Sequence, residues 1–402
     1  MIAVRLLGII CILTCLGGCE TVQQRQAPEP HALNEAHEES MPSQADPKAV
    51  TPPVSPPPPP PKVVSPAQST TDTSFGVVKV FFATDRSRSK RISPNEMFGS
   101  GRAGLTYGSC LVSIPRDHRM GALEAPSILK GEFRPDPAKH VMLRHVEIKK
   151  KEEFYADIAM RVRASSGKKA FIFVHGYNVK FDEAAKRTAQ IAYDLGFDGA
   201  PIFYSWPSRG VPRPLAYTAD EQNIEWSQAN LKRFLEEFFI RSDAQNVHLI
   251  AHSMGNRALT RAISTVLRSN PSVKERLKEI ILTATDIDAE VFRRDIAPVL
   301  AASGRPVTLY ASSNDLALVM SKKVHGYPRA GDSGAGLVIA AGIETIDASN
   351  TDTSFLGHSY YAERRSILAD MFYVITEGRR ADNRFGLQKI NTGAGPYWVF
   401  RK

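Results

Sequence analysis

From residue 169 onward this 402-residue chain alternates short, continuously apolar runs with longer stretches whose apolar residues recur at helical spacing. Few architectures accept that pattern. Lys169–Val174 (KAFIFV) is apolar on both faces after its first residue, and Ala200–Trp206, Asn246–Ile250, Glu279–Thr285 and Pro306–Ser312 repeat the design. Between them, Phe181–Leu195, Asp220–Ile240, Arg257–Leu267 and Asp288–Leu300 read as amphipathic helices. A strand buried on both faces needs cover on both sides, and helical crossovers supply it. The pattern predicts an α/β domain with a mostly parallel central sheet and helices on both faces. Leu337–Ile346 adds an expected strand and Glu363–Thr376 a closing helix. Upstream, Val77–Thr84, Tyr107–Pro115 and Val141–Ile148 read as strands, and Phe154–Val162 as a strand that also fits a helix. Residues 75–165 are therefore expected to form a β-rich extension, 166–378 the core, and 379–402 a tail with one extra edge strand near Tyr397–Phe400.

One of these strand–helix junctions carries chemistry. The strand His248–Ile250 runs into Ala251-His252-Ser253-Met254-Gly255-Asn256 and then a helix. A serine hydroxyl is a poor nucleophile, and a sharp strand-to-helix turn exposes its Oγ, while small residues two before and two after let the neighbouring elements approach. The helix N-terminus adds positive potential where an oxyanion would form. Ser253 is the expected nucleophile; the bland alternative is a buried turn serine capping the helix. About 75 residues upstream, Phe171-Ile172-Phe173-Val174-His175-Gly176-Tyr177-Asn178 is a strand ending in His-Gly. The backbone N–H groups of Tyr177 and Met254 are the expected oxyanion hole, and His175 is expected to be a structural histidine.

An acid and a base should follow the serine in that order. The strand Val307–Ser312 leads to Asp315, the expected orienting acid. Asp286 and Asp288, after the preceding strand, compete for that role or cap the next helix. His358, on a late loop in Phe355-Leu356-Gly357-His358-Ser359, is the expected base, with His325 as runner-up. The stretch 207–220 is polar and punctuated by proline, and Arg209 and Arg213 either border the pocket or are simply exposed.

These residues resemble the α/β-hydrolase superfamily. More closely, Val174–Asn178 (VHGYN), Ser205-Trp206-Pro207-Ser208 (SWPS) and Ala251–Asn256 (AHSMGN) resemble a bacterial domain-of-unknown-function hydrolase family, as do Phe81–Arg86 (FFATDR), Tyr107-Gly108 and Ile114–Arg119. The resemblance implies an α/β-hydrolase fold and a triad of Ser253, Asp315 and His358, without naming a substrate. By analogy with the fold's commonest chemistry, hydrolysis of a carboxylic ester through an acyl-enzyme is the expected reaction. The alternatives are an acyltransferase using the same triad, or an envelope scaffold on a catalytically dead fold.

The first 74 residues are of another kind. Residues 1–18 carry Arg5 and then the apolar run Leu6–Leu16, too short for a comfortable membrane span and suited to a signal peptide. Leu16-Gly17-Gly18-Cys19 resembles a bacterial lipobox, which implies a diacylglycerol thioether on Cys19; a plain cleaved signal or a short anchor with an incidental cysteine is the alternative. The same resemblance implies that Glu20, where Asp would favour inner-membrane retention, leans to the outer membrane. Residues 19–74 hold 13 of the 27 prolines and no aromatic residue, so they are expected to be a disordered, extended tether. The tether carries seven acids against three bases, which leaves the chain's excess of 51 Lys and Arg over 42 Asp and Glu on the folded part. No dense basic block accompanies it, so nucleic acid is not an expected partner; an ester-containing small molecule or an envelope lipid is, with the membrane reached through Cys19. Cys110 in an apolar strand reads as an inert buried thiol. The histidines are scattered and no HExxH occurs, so neither a metal nor another cofactor is expected. With 43% hydrophobic and 23% charged residues, the chain is neither fully disordered nor a polytopic membrane protein.

Overall fold

Strands that are apolar on both faces belong in the middle of a sheet, and that is where they lie. The computed structural model describes residues 74–127, 131–314, 318, 321–322, 325–350 and 367–401. Among the described residues eleven strands form one sheet: β1 (Phe75–Arg88), β2 (Phe98–Pro115), β3 (Met142–Lys149), β4 (Lys169–Val174), β5 (Ala200–Ser205), β6 (Asn246–His252), β7 (Leu277–Thr283), β8 (Val307–Ala311), β9 (Glu344–Asp347), β10 (Leu387–Thr392) and β11 (Gly395–Phe400). Their order is β10-β11-β9-β8-β7-β6-β4-β5-β1-β2-β3. Pairings from β1 through β5, β4, β6, β7, β8 and β9 to β11 are parallel; β1–β2, β2–β3 and β10–β11 are antiparallel. The chain turns to one side of β4 to make β5 and crosses to the other to make β6. The carboxyl ends of β4 and β6 therefore flank a topological switch point, the place where open α/β sheets bind ligands.

The two faces of the sheet sort residues by parity. Ile172, Val174, Leu249, Ala251, Ile280 and Leu282 pack under α1 (Lys151–Arg163), α3 (Pro214–Arg241), α4 (Gly255–Ser269) and the helical stretch 289–302. Phe171, Phe173, Ile250 and Ile281 face the other way, under α2 (Phe181–Asp194) and the last helix, Ile367–Ile375. The aromatic residues Phe171, Phe173, Phe203, Tyr204 and Trp206 are all buried, and so is Cys110, whose thiol burial pushes well above its ordinary pKa.

Several elements differ from the sequence expectation, each for a local reason. Phe154–Val162 is helical: Phe154, Tyr155, Ile158, Ala159 and Val162 form one buried stripe at helical spacing. The helix expected over Asp288–Leu300 is broken into Ala289–Val291, a wide five-residue turn Phe292–Ile296, and Ala297–Ala302. Pro298 has no N–H to bond the carbonyl four residues back, so the helix widens before it. Leu337–Ile346 is mostly irregular, with Gly342 at φ +78°, and only Glu344–Asp347 pairs. The tail holds two strands, not one, because Gly393 and Gly395 fold β10 and β11 into a hairpin in which β11 runs parallel to β9 and β10 forms the edge.

That hairpin is joined to the core by buried charge. Arg384, fully buried, donates to Asp370 Oδ2 (2.7 Å) and Glu344 Oε2 (2.7 Å), and Arg380 donates to Glu279 Oε2 (2.7 Å). Removing one partner of such a cluster leaves an uncompensated buried charge, the costly case for ion pairs.

At the other end, the segment after β2 inserts His118 between two carboxylates, with Nδ1 at 2.8 Å from Glu124 Oε2 and Nε2 at 2.9 Å from Asp194 Oδ1. Both ring nitrogens face acceptors, so the ring carries both protons. Burial opposes that charge, but Asp194 and Glu124 outweigh it and raise His118 to about 9 from an ordinary 6.5. A folded value above the unfolded one means stabilisation that is complete below about pH 6.5 and is lost as pH rises through 9. On the order of 3 kcal/mol is at stake. Urea unfolding at pH 6 and pH 10 should show the gap between wild type and His118→Gln closing by about that much. A gap that stays constant across the two pH values rules the charged pairing out.

Candidate active site

Ser253 sits between the end of β6 and the start of α4 with φ +49°, in the left-handed region that a non-glycine residue occupies only under constraint. The constraint is visible. Ser253 N–H donates to Thr283 O on β7 (3.0 Å), and Asp286 N–H donates to Ser253 O (3.4 Å). Asn256 clamps the turn from within: its Nδ2 donates to Ser253 O (2.8 Å) and Thr283 O (3.0 Å), and its backbone N–H donates to Ser253 O (3.1 Å). Thr283 Oγ1 returns a bond to Ala251 O (3.0 Å). The role of Asn256 was missed in the sequence, where only its place in AHSMGN marked it.

The small positions have defined neighbours. A Cβ on Gly255 would lie 2.4 Å from His175 O and 2.7 Å from Val174 O, so glycine there lets α4 meet the end of β4. A Cβ on Gly176 would lie 2.8 Å from both Ser253 Cβ and His252 Nδ1. Ala251, in the first small position, fits with its methyl fully buried. The turns carrying Tyr177 and Met254 thus touch at Gly176 and Ser253, which brings the two expected oxyanion donors into one neighbourhood.

His175 is occupied elsewhere. Its Nδ1 lies 2.9 Å from Gly176 O and its Nε2 lies 3.1 Å from Ser205 Oγ; its ring stacks on Trp206 at 5.1 Å, and Trp206 Nε1 donates to its carbonyl (2.8 Å). Burial, then the neighbouring Arg86, push its pKa well below the ordinary value, so the ring is neutral and structural. His252, beside the nucleophile, is likewise lowered to about 3, by burial first and Arg187 second. Neither histidine has the basicity to take a proton from serine at neutral pH.

Comparison with known proteins follows the same lines. Residues 150–377 match the family described as alpha/beta hydrolase of unknown function (DUF900). The chain belongs to this family. No curated protein matches it. Among solved structures, Aspergillus fumigatus lipase B is 14% identical, with 46% of this chain and 45% of the lipase covered and a TM-score of 0.27. Esterase B from Lactobacillus rhamnosis, solved with a tributyrin phosphonate, is 12% identical over 72% of this chain and 79% of its own, with a TM-score of 0.27. An extracellular alpha/beta-hydrolase from a Paenibacillus species is 16% identical over 44% and 76%, with a TM-score of 0.21. The chain spans less than half the length of lipase B. The fold assignment rests on the family match and the strand order.

In this α/β hydrolase the expected acid and base, Asp315 and His358, lie outside the described residues, as does the expected lipid site Cys19. The segment that leads to Asp315 is described: β8 ends at Ala311, and Ser312 N–H donates to Gly331 O (2.8 Å). The competitors have settled partners. Asp288 caps its helix, Oδ1 accepting from Glu290 N–H (3.0 Å) and Val291 N–H (3.1 Å). Asp286 is buried, accepts from Tyr217 OH (2.6 Å) and Ser321 Oγ (2.5 Å), and pairs with Arg257 and Arg329. His325 bonds Glu221 Oε1 through Nε2 (2.8 Å) and Ser321 O through Nδ1 (2.8 Å). Arg209 and Arg213 are exposed, on a loop that lies against Tyr177, whose OH donates to Val211 O and Arg213 O (3.1 Å each). Among the described residues no cluster of His, Cys, Asp and Glu is placed to hold a metal, and no helix is long and apolar enough to cross a membrane.

Proposed function

We propose that this α/β hydrolase cleaves carboxylic esters through an acyl-enzyme on Ser253 at the bacterial cell envelope, held to the membrane by a lipid on Cys19. The observation that carries the reading is Ser253 itself, strained at φ +49° where the carboxyl end of β6 meets the turn after β4. Ser253 Oγ bonds the ester carbonyl carbon as its proton passes to His358, whose other ring nitrogen is held by Asp315. The resulting oxyanion is met by Tyr177 N–H and Met254 N–H. Collapse breaks the bond to the leaving alcohol, which takes the proton from His358, and water repeats the sequence to release the acid. An acceptor other than water at the second stage gives acyl transfer with the same residues.

A fluorophosphonate probe phosphonylates an activated serine of this kind in preference to ordinary hydroxyls. Applied to cells expressing the full chain, it is expected to mark wild type in the membrane fraction and leave Ser253→Ala unmarked. Label on neither protein, or equal label on both, overturns the reading, and label confined to the soluble fraction overturns its membrane part. Product analysis of a nitrophenyl ester, with and without an alcohol acceptor, separates hydrolysis from transfer.

A further inference from the structure

The FFATDR and SWPS stretches have no part in the chemistry just described, yet they meet directly beneath it. The β1–β2 pairing shifts register between Thr84 and Arg86 and again between Arg86 and Arg88, the signature of a bulge that re-aims a side chain. Arg86 points inward as a result and is only 2% exposed. Its Nε donates to Ser205 Oγ (2.8 Å), Nη1 to Gly99 O (3.1 Å) and Ser208 O (2.9 Å), and Nη2 to Val179 O (2.7 Å), with His175 Nε2 at 3.4 Å. Every N–H of the guanidinium has a partner. Among the described residues no carboxylate bonds it; its partners belong to β2 and to the 175–179 and 205–208 segments.

The turn it holds is the one that carries Tyr177. Val179 is gripped on both sides of its peptide, its carbonyl by Arg86 and its N–H by Ser208 Oγ (3.3 Å), which in turn donates to Asp220 Oδ2 (2.6 Å). At the other end Trp206 holds His175 O. Between these grips Asn178 sits at φ +58°, a conformation the turn does not keep without support.

We propose that Arg86 is a positioning residue for the oxyanion hole, fixing through Val179 O and the SWPS turn the place of Tyr177 N–H against Ser253. The proposal rests on the esterase reading for its kinetic consequence but not for its structural one. Lysine offers three donors from a single point and cannot span Val179, Ser205, Gly99 and Ser208 together. A donor displaced by about 1 Å costs on the order of 100-fold in rate. Substrate contacts made equally in ground and transition state are untouched, so the loss belongs to kcat.

The test compares the full chain with Arg86→Lys, Arg86→Gln and Ser208→Ala by amide hydrogen exchange and by kcat and KM on a short-chain nitrophenyl ester. In Arg86→Lys and Arg86→Gln, exchange over residues 175–180 is expected to rise at least about 10-fold while the β6–α4 turn stays protected, with kcat down about 100-fold and KM within about 3-fold. Ser208→Ala, which removes the grip on Val179 N–H together with the bond to Asp220 but leaves Arg86 in place, is expected to lose about 10-fold in kcat, and it decides the matter if the Arg86 variants do not fold. Unchanged exchange over 175–180, or a kcat loss that merely follows the unfolded fraction, overturns the proposal. If wild type is neither labelled nor active on esters, the esterase reading fails while the exchange result still decides whether Arg86 holds the turn.

Discussion

Ser253→Ala is expected to lower kcat on a nitrophenyl ester by at least about 10⁴-fold while leaving the thermal unfolding midpoint within a degree or two of wild type. The two halves of that expectation have separate causes. The rate falls because alanine leaves the segment Ala251–Asn256 without a hydroxyl, and loss of a triad serine in other hydrolases removes up to about 10⁶. The fold persists because the turn is held through backbone atoms: Thr283, Asn256 and Asp286 bond Ser253 N–H and C=O, not its Oγ. A companion pair of variants identifies the acid. Asp315→Asn should leave a stable protein with kcat down about 10⁴-fold, since the histidine would adopt the wrong tautomer. Asp286→Asn should act first on stability, because it breaks a buried site shared with Arg257, Arg329, Tyr217 and Ser321. A folded Asp286→Asn protein without activity, beside an active Asp315→Asn, transfers the role to Asp286.

Gly255→Ala is the second large effect, and its sign is the informative part. At an ordinary helix position the change from glycine to alanine stabilises by up to about 1 kcal/mol. At Gly255 the new methyl would stand 2.4 Å from His175 O and 2.7 Å from Val174 O. Those are main-chain carbonyls at the end of a central strand and cannot swing aside like a flexible side chain, so α4 and β4 must part by about 1 Å. Overpacking of this kind costs about 3 kcal/mol, at the upper end of the usual range. The same displacement separates the Tyr177 and Met254 turns, so protein that still folds should also lose about 100-fold in kcat. Denaturant unfolding with kcat measured per active site checks both, and a Gly255→Ala protein as stable and active as wild type would contradict the packing argument.

Much of this architecture was legible because it depends on local pattern. The strands from Lys169 to Ala311 are buried on both faces, and unbroken apolar runs announce that without tertiary information. The turn at Ser253 was legible because small residues flank it and a helix follows. The Asp288 cap could be anticipated from an acid placed before a helix. What escaped depends on partners far apart in sequence. Phe154–Val162 begins with two adjacent buried aromatics, which blurs its periodicity, and it is settled only by packing against α3 and β2. Arg86 and His118 look like ordinary surface cations until Val179, Ser205, Glu124 and Asp194 are brought round them. Arg384 meets Glu344 and Asp370 only because the chain after the last helix returns to the sheet and adds the hairpin beside β9. Burial of charge is written into three-dimensional neighbourhoods, not into runs of residues.

The hairpin β10–β11 and its arginines also bear on how the protein is made. The family match stops at residue 377, but Arg380, Arg384 and both hairpin strands lie beyond it. As the chain leaves the ribosome, Glu279, Glu344 and Asp370 emerge before the cations that neutralise them, and β9 has an open edge until residues 395–400 arrive. A nascent chain halted near residue 377 therefore carries three acids waiting for cations still to be synthesised and an edge free to pair with another molecule. By covering the edge of β9 and neutralising those acids, the hairpin and the arginines before it keep that side of the sheet from serving as a pairing surface for a second molecule.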